Sequence, residues 1–302
     1  MKFSNEYIPC LDNISIRQGF EYIKKDKIYC RDPYVMPYDG KYYLYLGAGK
    51  RGIICQVSED LENWSEQINV FTPSEDFHGI DSFFWAPECH YYNGKFYIFT
   101  SVKSSLCGHR VISSYVSDNP LGPFREQAII SPFDWDSIDG TLFIDEENQP
   151  WLVFVHEWTS MPEPDKIGAI SCAKLNEDLT AFISEPKDLF YAYDPEWARN
   201  RVTDGPFMYK TDGGKLLMIW SNFSPNGYVV AVASSKNGKV DGEWVQERLL
   251  FDEDGGHGMI FKTFEGELML SIHSPNMRAS KTNVEHLVLL PLKEENDMLY
   301  LK

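Results

Sequence analysis

Short runs of Tyr, Phe, Val, Ile and Leu punctuate this chain, set apart by polar turns built on Asn-Gly, Asp-Gly and Gly-Gly. Helical periodicity is almost absent, and this rhythm predicts β-strands joined as hairpins. One unit repeats: a small polar opening motif, a short strand, a tight turn and a second apolar strand. It reads RDPYVMPYDGKYYLYLG from Arg31, WAPECHYYNGKFYIFTS from Trp85, IDGTLFIDEENQPWLVFVHEW from Ile138, TDGPFMYKTDGGKLLMIWSN from Thr203 and GGHGMIFKTFEGELMLSIHSPN from Gly255. The opening positions Asp32, Ala86, Asp139, Asp204 and His257 lie 54, 53, 65 and 53 residues apart. A period near fifty is that of a propeller blade. Further strands follow several units, with polar turns such as VSEDLENW from Val57, VSDNPLGPF from Val116 and LNEDLTAF from Leu175, and these fit outer strands.

The expected fold is therefore all-β, a five-bladed β-propeller with four-stranded antiparallel blades. A β-sandwich or two smaller β domains would also use hairpins, but five units in one order argue against both. No Pro-, Gly- or Ser-rich linker divides the chain, so residues 1–302 are expected to form a single domain. The lead-in from Met1 to about Lys27 and the tail from Val284 to Lys302 are expected to complete or cover the seam of the ring, where an open strand edge would be a liability.

The innermost strand of a propeller blade lines the central channel, so five opening motifs at the starts of inner strands converge on one axis. The second strand returns to the same face. It brings back Gly47 to Gly49, Thr100 and Ser101, His156 to Trp158, Trp220 to Asn222, and His273 with Ser274. The inner ring then holds Asp32, Asp139, Asp204 and His257, with Trp85 and Glu88 from the remaining blade. Carboxylates crowded on one axis raise at least one another's pKa. A protonated carboxyl beside an ionised one is the equipment for acid–base cleavage of a glycosidic bond.

Each residue also has a blander reading. An Asp before Pro or Gly is often a turn former, although recurrence at matching positions weakens that account of the three as a set. Trp85 and Trp220 are either core aromatics or walls for a sugar ring. Glu88 reads as a structural hydrogen-bonding group. His257 lies between two glycines, which permit close backbone approach and favour a binding role.

Charge narrows the partners. A formal net charge of −17 repels nucleic-acid phosphates and anionic lipid, so neither is an expected partner. The six cysteines form no CxxC pair, and most sit in apolar, strand-like runs, where a free Cys packs as a small hydrophobe. The opening MKFSNEYIPCLDN lacks an apolar signal core, and no stretch approaches the roughly 18 apolar residues of a membrane span. The sequence as written is expected to be cytoplasmic.

Taken together, these motifs resemble family 43 of the glycoside hydrolases over nearly the whole chain. Arg31-Asp32-Pro33 looks like the family's first-blade motif, and Trp85-Ala86-Pro87-Glu88 like its second. The resemblance implies that Asp32 is the general base, Asp139 the residue that tunes and orients the acid, and Asp204 the general acid. His257 matches a channel histidine that contacts a metal ion through water, so Ca²⁺ or a similar ion in the channel is an expectation, with no cofactor required. Trp85, Glu157, Trp220, His156 and Arg278 are the candidate substrate contacts. One departure stands out: the family's acid is usually Glu before Gly-Pro, and here it is Asp204, about 1.5 Å shorter in reach. Glu157, on a strand returning to the same face, is the alternative acid.

The implied activity is that of an inverting, exo-acting glycosidase of the α-L-arabinofuranosidase or β-D-xylosidase type, acting on short oligosaccharides. Two alternatives stay open. One is a retaining, fructan-type propeller glycosidase, for which Glu88-Cys89 is a superficial match. The other is a non-catalytic carbohydrate-binding propeller.

Overall fold

In the hairpin strand Lys41–Gly47, residues Tyr42 to Leu46 are all buried, whichever face they point to. A strand covered on both faces must lie in a sheet packed between two others. The computed structural model, which describes residues 23–80, 83–164 and 166–302, shows how this is achieved. Five antiparallel sheets stand in a ring, making a five-bladed β-propeller.

The blades follow chain order. Their inner strands are Tyr34–Tyr38, Trp85–Tyr92, Ser137–Ile144, Asp204–Lys210 and Gly256–Lys262. Blades two to five each contain four strands in sequence order. The first blade adds two short strands, Ile23–Lys24 and Asn63–Trp64, which pair with each other. Apolar clusters fill the spaces between neighbouring blades. One joins Phe99, Ile112 and Phe154 of blades two and three; another joins Val153, Met218 and Trp220 of blades three and four; a third joins Ile219, Leu270 and Ile272 of blades four and five. The largest unites blades five, one and two.

The seam is closed by the chain just before the first blade. Tyr29 bridges His286, the Cys30 N–H donates to Glu285 O, and the Leu287 N–H donates to Ile28 O. The tail supplies the third and fourth strands of the last blade, His286–Glu295 and Met298–Leu301. The lead-in is described from Ile23 onward; residues 1–22, with Cys10, lie outside the described residues. Cys30, Cys55, Cys89, Cys107 and Cys172 are free thiols, all buried except Cys107. No helix among the described residues is long and apolar enough to cross a membrane.

Candidate active site

Blades two to five open on the same local distortion. Their first two strands begin to pair, skip two residues on the inner strand, and then resume. The flanking inner-strand residues are Trp85 and Glu88, Ile138 and Thr141, Asp204 and Phe207, and Gly256 and Met259. Two residues facing one is a β-bulge, which bends the strand and re-aims a side chain. The first bulged residue has left-handed φ in each case: Ala86 at 44°, Asp139 at 56°, Gly205 at 49° and His257 at 42°. Asp32, just before its strand, shares it at 50°.

This phase corrects the opening positions read from the sequence at one blade. Asp204 is not equivalent to Asp32 and Asp139; Gly205 is. Asp204 stands one residue earlier, in the place that Trp85 and Ile138 occupy, so it reaches the axis from the flank of the bulge.

The bulged N–H groups find partners on the preceding blade, and these bonds link the ring. Asp139 N–H donates to Ser101 Oγ at 3.1 Å, and His257 N–H to Ser221 Oγ at 3.1 Å. Asp32 N–H donates to His273 Nδ1 at 3.2 Å, from the first blade to the last. Ser101, Ser221 and His273 hold the same register position; in the third blade that position is Val155, which offers no acceptor. Gly205 N–H donates instead to Asp139 Oδ2 at 3.0 Å.

The bulges surround a cavity of about 610 Å³, and Asp32, Asp139, Asp204, Glu157, Tyr228 and His257 are all in its wall. His257 Nδ1 lies 3.4 Å from Asp32 Oδ1 and 3.6 Å from Asp139 Oδ2. Burial works against charge on the His257 ring, but Asp139, Asp32, Glu88 and Asp204 outweigh it and raise the pKa. The ring thus sits between two carboxylates that favour its protonated form. His273 is driven the other way, chiefly by burial, and stays neutral. Since its Nδ1 accepts from Asp32, its proton is on Nε2, which faces Asn276 Oδ1 at 3.4 Å.

The carboxyls divide accordingly. Burial alone would raise Asp32, yet the charges of His257 and Arg31 hold it below the ordinary carboxylate value. Asp204 goes up to about 7, through burial and the charge of Asp139, against a hydrogen bond from Tyr228 and the field of His257. Asp139 goes up to about 6, through burial offset by His257. Glu157 is also raised, by burial and then by Asp204 and Asp136. An ionised carboxylate and a protonated carboxyl in one cavity can supply a base and an acid.

The other expected residues separate into two groups. Trp85 is in the cavity wall, 40% exposed, with the Arg110 guanidinium 3.5 Å from its ring centroid. Glu157 is in the wall as well. Trp220, His156 and Arg278 are not in that wall. Trp220 is fully buried against Phe190 and Trp197, because side chains alternate along a strand and its neighbour Ser221 takes the position that meets the next bulge. His156 is buried under Trp135, ring on ring at 3.6 Å, with Nδ1 3.8 Å from Asp188. Arg278 is exposed on a loop held by Asp254, and its guanidinium donates to Asn226 O at 2.8 Å. Glu88 is buried and bonded to His90 Nε2 at 3.1 Å, as a structural group would be.

Because the His257 Nδ1 faces carboxylates, a proton fits there better than a directly bound Ca²⁺, which takes about six to eight oxygen ligands. Among the described residues no group of three or more His, Cys, Asp or Glu side chains is arranged to hold a metal ion. Sequence reasoning missed Tyr228 and Arg110. Both begin or lie on third strands, whose first residues also return to the cavity end, and the opening motifs give no sign of them.

A propeller with a lowered and a raised carboxyl at one end of its axis carries the pair of groups that acid–base cleavage of a glycosidic bond uses. Comparison with known proteins gives the family. The model for glycosyl hydrolases family 43 matches residues 27–298, and the chain belongs to that family.

Among relatives, it is similar to the extracellular endo-α-(1→5)-L-arabinanase 1 of Bacillus subtilis (strain 168), 29% identical over 41% of this chain and 42% of that protein. It spans under half of that relative's length. The extracellular exo-α-(1→5)-L-arabinofuranosidase ArbA of Cellvibrio japonicus (strain Ueda107) is 27% identical over 76% of this chain and 70% of its own. In structure, an endo-arabinase from Bacteroides thetaiotaomicron VPI-5482 superimposes with a TM-score of 0.82 at 36% identity, covering 92% of this chain and 99% of the other.

Proposed function

We propose that the chain is an inverting, exo-acting glycosidase that releases α-L-arabinofuranosyl or β-D-xylosyl units from short oligosaccharides. The observation that carries this reading is the convergence of Asp32, Asp139 and Asp204 on one cavity, where the surroundings lower the pKa of Asp32 and raise that of Asp204 to about 7. Asp32 takes a proton from water, whose oxygen attacks the anomeric carbon. Asp204 gives its proton to the departing glycosidic oxygen as the carbon–oxygen bond breaks. Asp139 keeps Asp204 protonated through its charge and holds the Gly205 N–H. His257, as imidazolium, offsets Asp32 and Asp139 while leaving the base ionised. Trp85 offers an apolar face to a sugar ring. No step draws on a metal or cofactor.

The named activity of the Cellvibrio relative supports terminal cleavage. Internal cleavage is the second reading, favoured by the likeness to the Bacteroides endo-arabinase. Product analysis by NMR, on aryl arabinofuranosides, xylosides and galactosides and on arabino-oligosaccharides, decides between them. Release of single sugars, with the β-anomer appearing first from α-arabinofuranosides, is expected. A retained anomer overturns inversion, short oligosaccharides as first products establish the endo reading, and binding without turnover on every sugar leaves a carbohydrate-binding propeller.

A further inference from the structure

We propose that Tyr228 is a positioning residue for the acid: its hydroxyl occupies Asp204 Oδ2, so that Oδ1 is the oxygen that carries and delivers the proton. This rests on the reading of Asp204 as general acid.

The Tyr228 hydroxyl donates to Asp204 Oδ2 at 2.9 Å. With that oxygen taken, a protonated Asp204 carries its hydrogen on Oδ1. When Oδ1 gives the proton to the leaving oxygen, the carboxyl becomes a carboxylate, and the bond from Tyr228 becomes charge-assisted and stronger. An interaction that strengthens along the reaction lowers the barrier, whereas one of constant strength does not. The tyrosine keeps its own proton throughout: burial and the charges of Asp204, Asp32 and Asp139 push its pKa well above the ordinary value.

The ring is held from every side. It packs on Phe223 at 4.9 Å and lies over His273 at 5.7 Å with planes 25° apart. A β-carbon on Gly256 would fall 2.6 Å from Tyr228 Cε1, so the glycine before His257 makes room for it. The Tyr228 N–H donates to Asp254 Oδ1 at 3.2 Å. Asp254 is fully buried, and its carboxylate also receives the amides of Asn276, Met277 and Arg278. Gly227 must stay bare, since a β-carbon there would meet Asp254 Oδ1 at 2.6 Å. The ring that holds the acid thus rests on His273, the ring that accepts from the Asp32 N–H. A short Asp can serve where the family pattern has Glu because a rigid phenol fixes it from the third strand.

Tyr228→Phe keeps the ring and removes the donor. For glycosides with poor leaving groups, kcat/KM is expected to fall about 10- to 100-fold, the factor one hydrogen bond to a charged group carries. Dinitrophenyl glycosides, which need little protonation, should lose much less. The alkaline limb of the pH profile should move up, because the lost bond favoured the ionised acid. Gly256→Ala, which displaces the ring but keeps the hydroxyl, should show the same leaving-group signature and serves if Tyr228→Phe folds poorly. Equal losses on both substrate classes with an unmoved alkaline limb reduce Tyr228 to a packing residue. Asp204→Ala is measured in parallel. If it shows no leaving-group dependence, the acid reading fails and takes this proposal with it; if it does and Tyr228→Phe does not, the Tyr228 proposal fails alone.

Discussion

The Gly205 N–H donates to Asp139 Oδ2 at 3.0 Å, so the residue that follows the proposed acid is tied to the carboxylate proposed to tune it. The bond crosses from the third blade to the fourth and holds the two carboxyls near each other, so that the charge of one disfavours ionisation of the other. Asp139 is the largest source, after burial, of the raised pKa of Asp204.

Asp139→Asn keeps an acceptor for Gly205 and removes the charge. Turnover in the parent should need Asp32 ionised and Asp204 protonated, giving a bell whose alkaline limb falls near pH 7. Taking away the negative neighbour lowers the Asp204 pKa, so that limb should shift to lower pH by roughly one unit, the low end of an adjacent charge's effect. A kcat/KM profile of the variant on a poor leaving group checks this. A limb that stays in place removes Asp139 from the tuning role.

Asp32→Asn should cost about 100- to 10,000-fold in kcat/KM, the usual worth of a general base. The fold should survive, because Asn also tolerates left-handed φ and the N–H to His273 is unchanged. Circular dichroism and melting temperature report the fold, and a dinitrophenyl glycoside reports the rate, since loss of the base is felt with any leaving group. Near-parental turnover would show that another group activates water.

Glu157 and Asp204 compete for the acid role, since both are in the cavity wall and both carry raised pKa values. Asp204 is held by Tyr228 at 2.9 Å, whereas Glu157 meets Thr159 Oγ1 at the longer distance of 3.5 Å. Asp204→Ala should therefore show losses that grow steeply as the leaving group becomes more basic. Glu157→Gln should lose less, and evenly across the series. The reverse pattern hands the proton to Glu157.

Much of this was legible in the residues. A bulge needs Gly, Asp or a strained residue followed by a strand, and it recurs in blades two to five, with Asp32 sharing its left-handed φ in the first, so the opening motifs stand out without coordinates. Asp32, Asp139 and His257 could be placed on the axis from that alone. The one-residue offset at Asp204 could not, because Thr-Asp-Gly-Pro matches Arg-Asp-Pro and Ile-Asp-Gly equally well until the hydrogen-bond register shows which residue turns left-handed. Trp220 and Ser221 are adjacent, and strand alternation sends one into the core and the other to the next bulge; composition cannot say which. Tyr228 was invisible because it lies on a third strand, twenty-four residues from the carboxyl it touches.

The same bulge makes a prediction about stability that involves no acid or base. Ala86 holds φ at 44° in a buried position, where its β-carbon costs about 1–2 kcal/mol relative to a right-handed conformation. Asp139 accepts the same strain but returns a bond to Gly205, and His257 returns its contacts with two carboxylates. Ala86 has only a methyl group, so its strain has no such return. Glycine removes the strain and gives back about 0.5–1 kcal/mol through the greater freedom of the unfolded chain. The difference favours glycine, and Ala86→Gly should stabilise the fold by up to about 1 kcal/mol. Urea denaturation should show a higher midpoint at unchanged slope, with turnover near that of the parent. A lower midpoint would mean that the methyl's packing outweighs the backbone strain, and that the left-handed turn is a cheaper feature of this ring than its recurrence suggests.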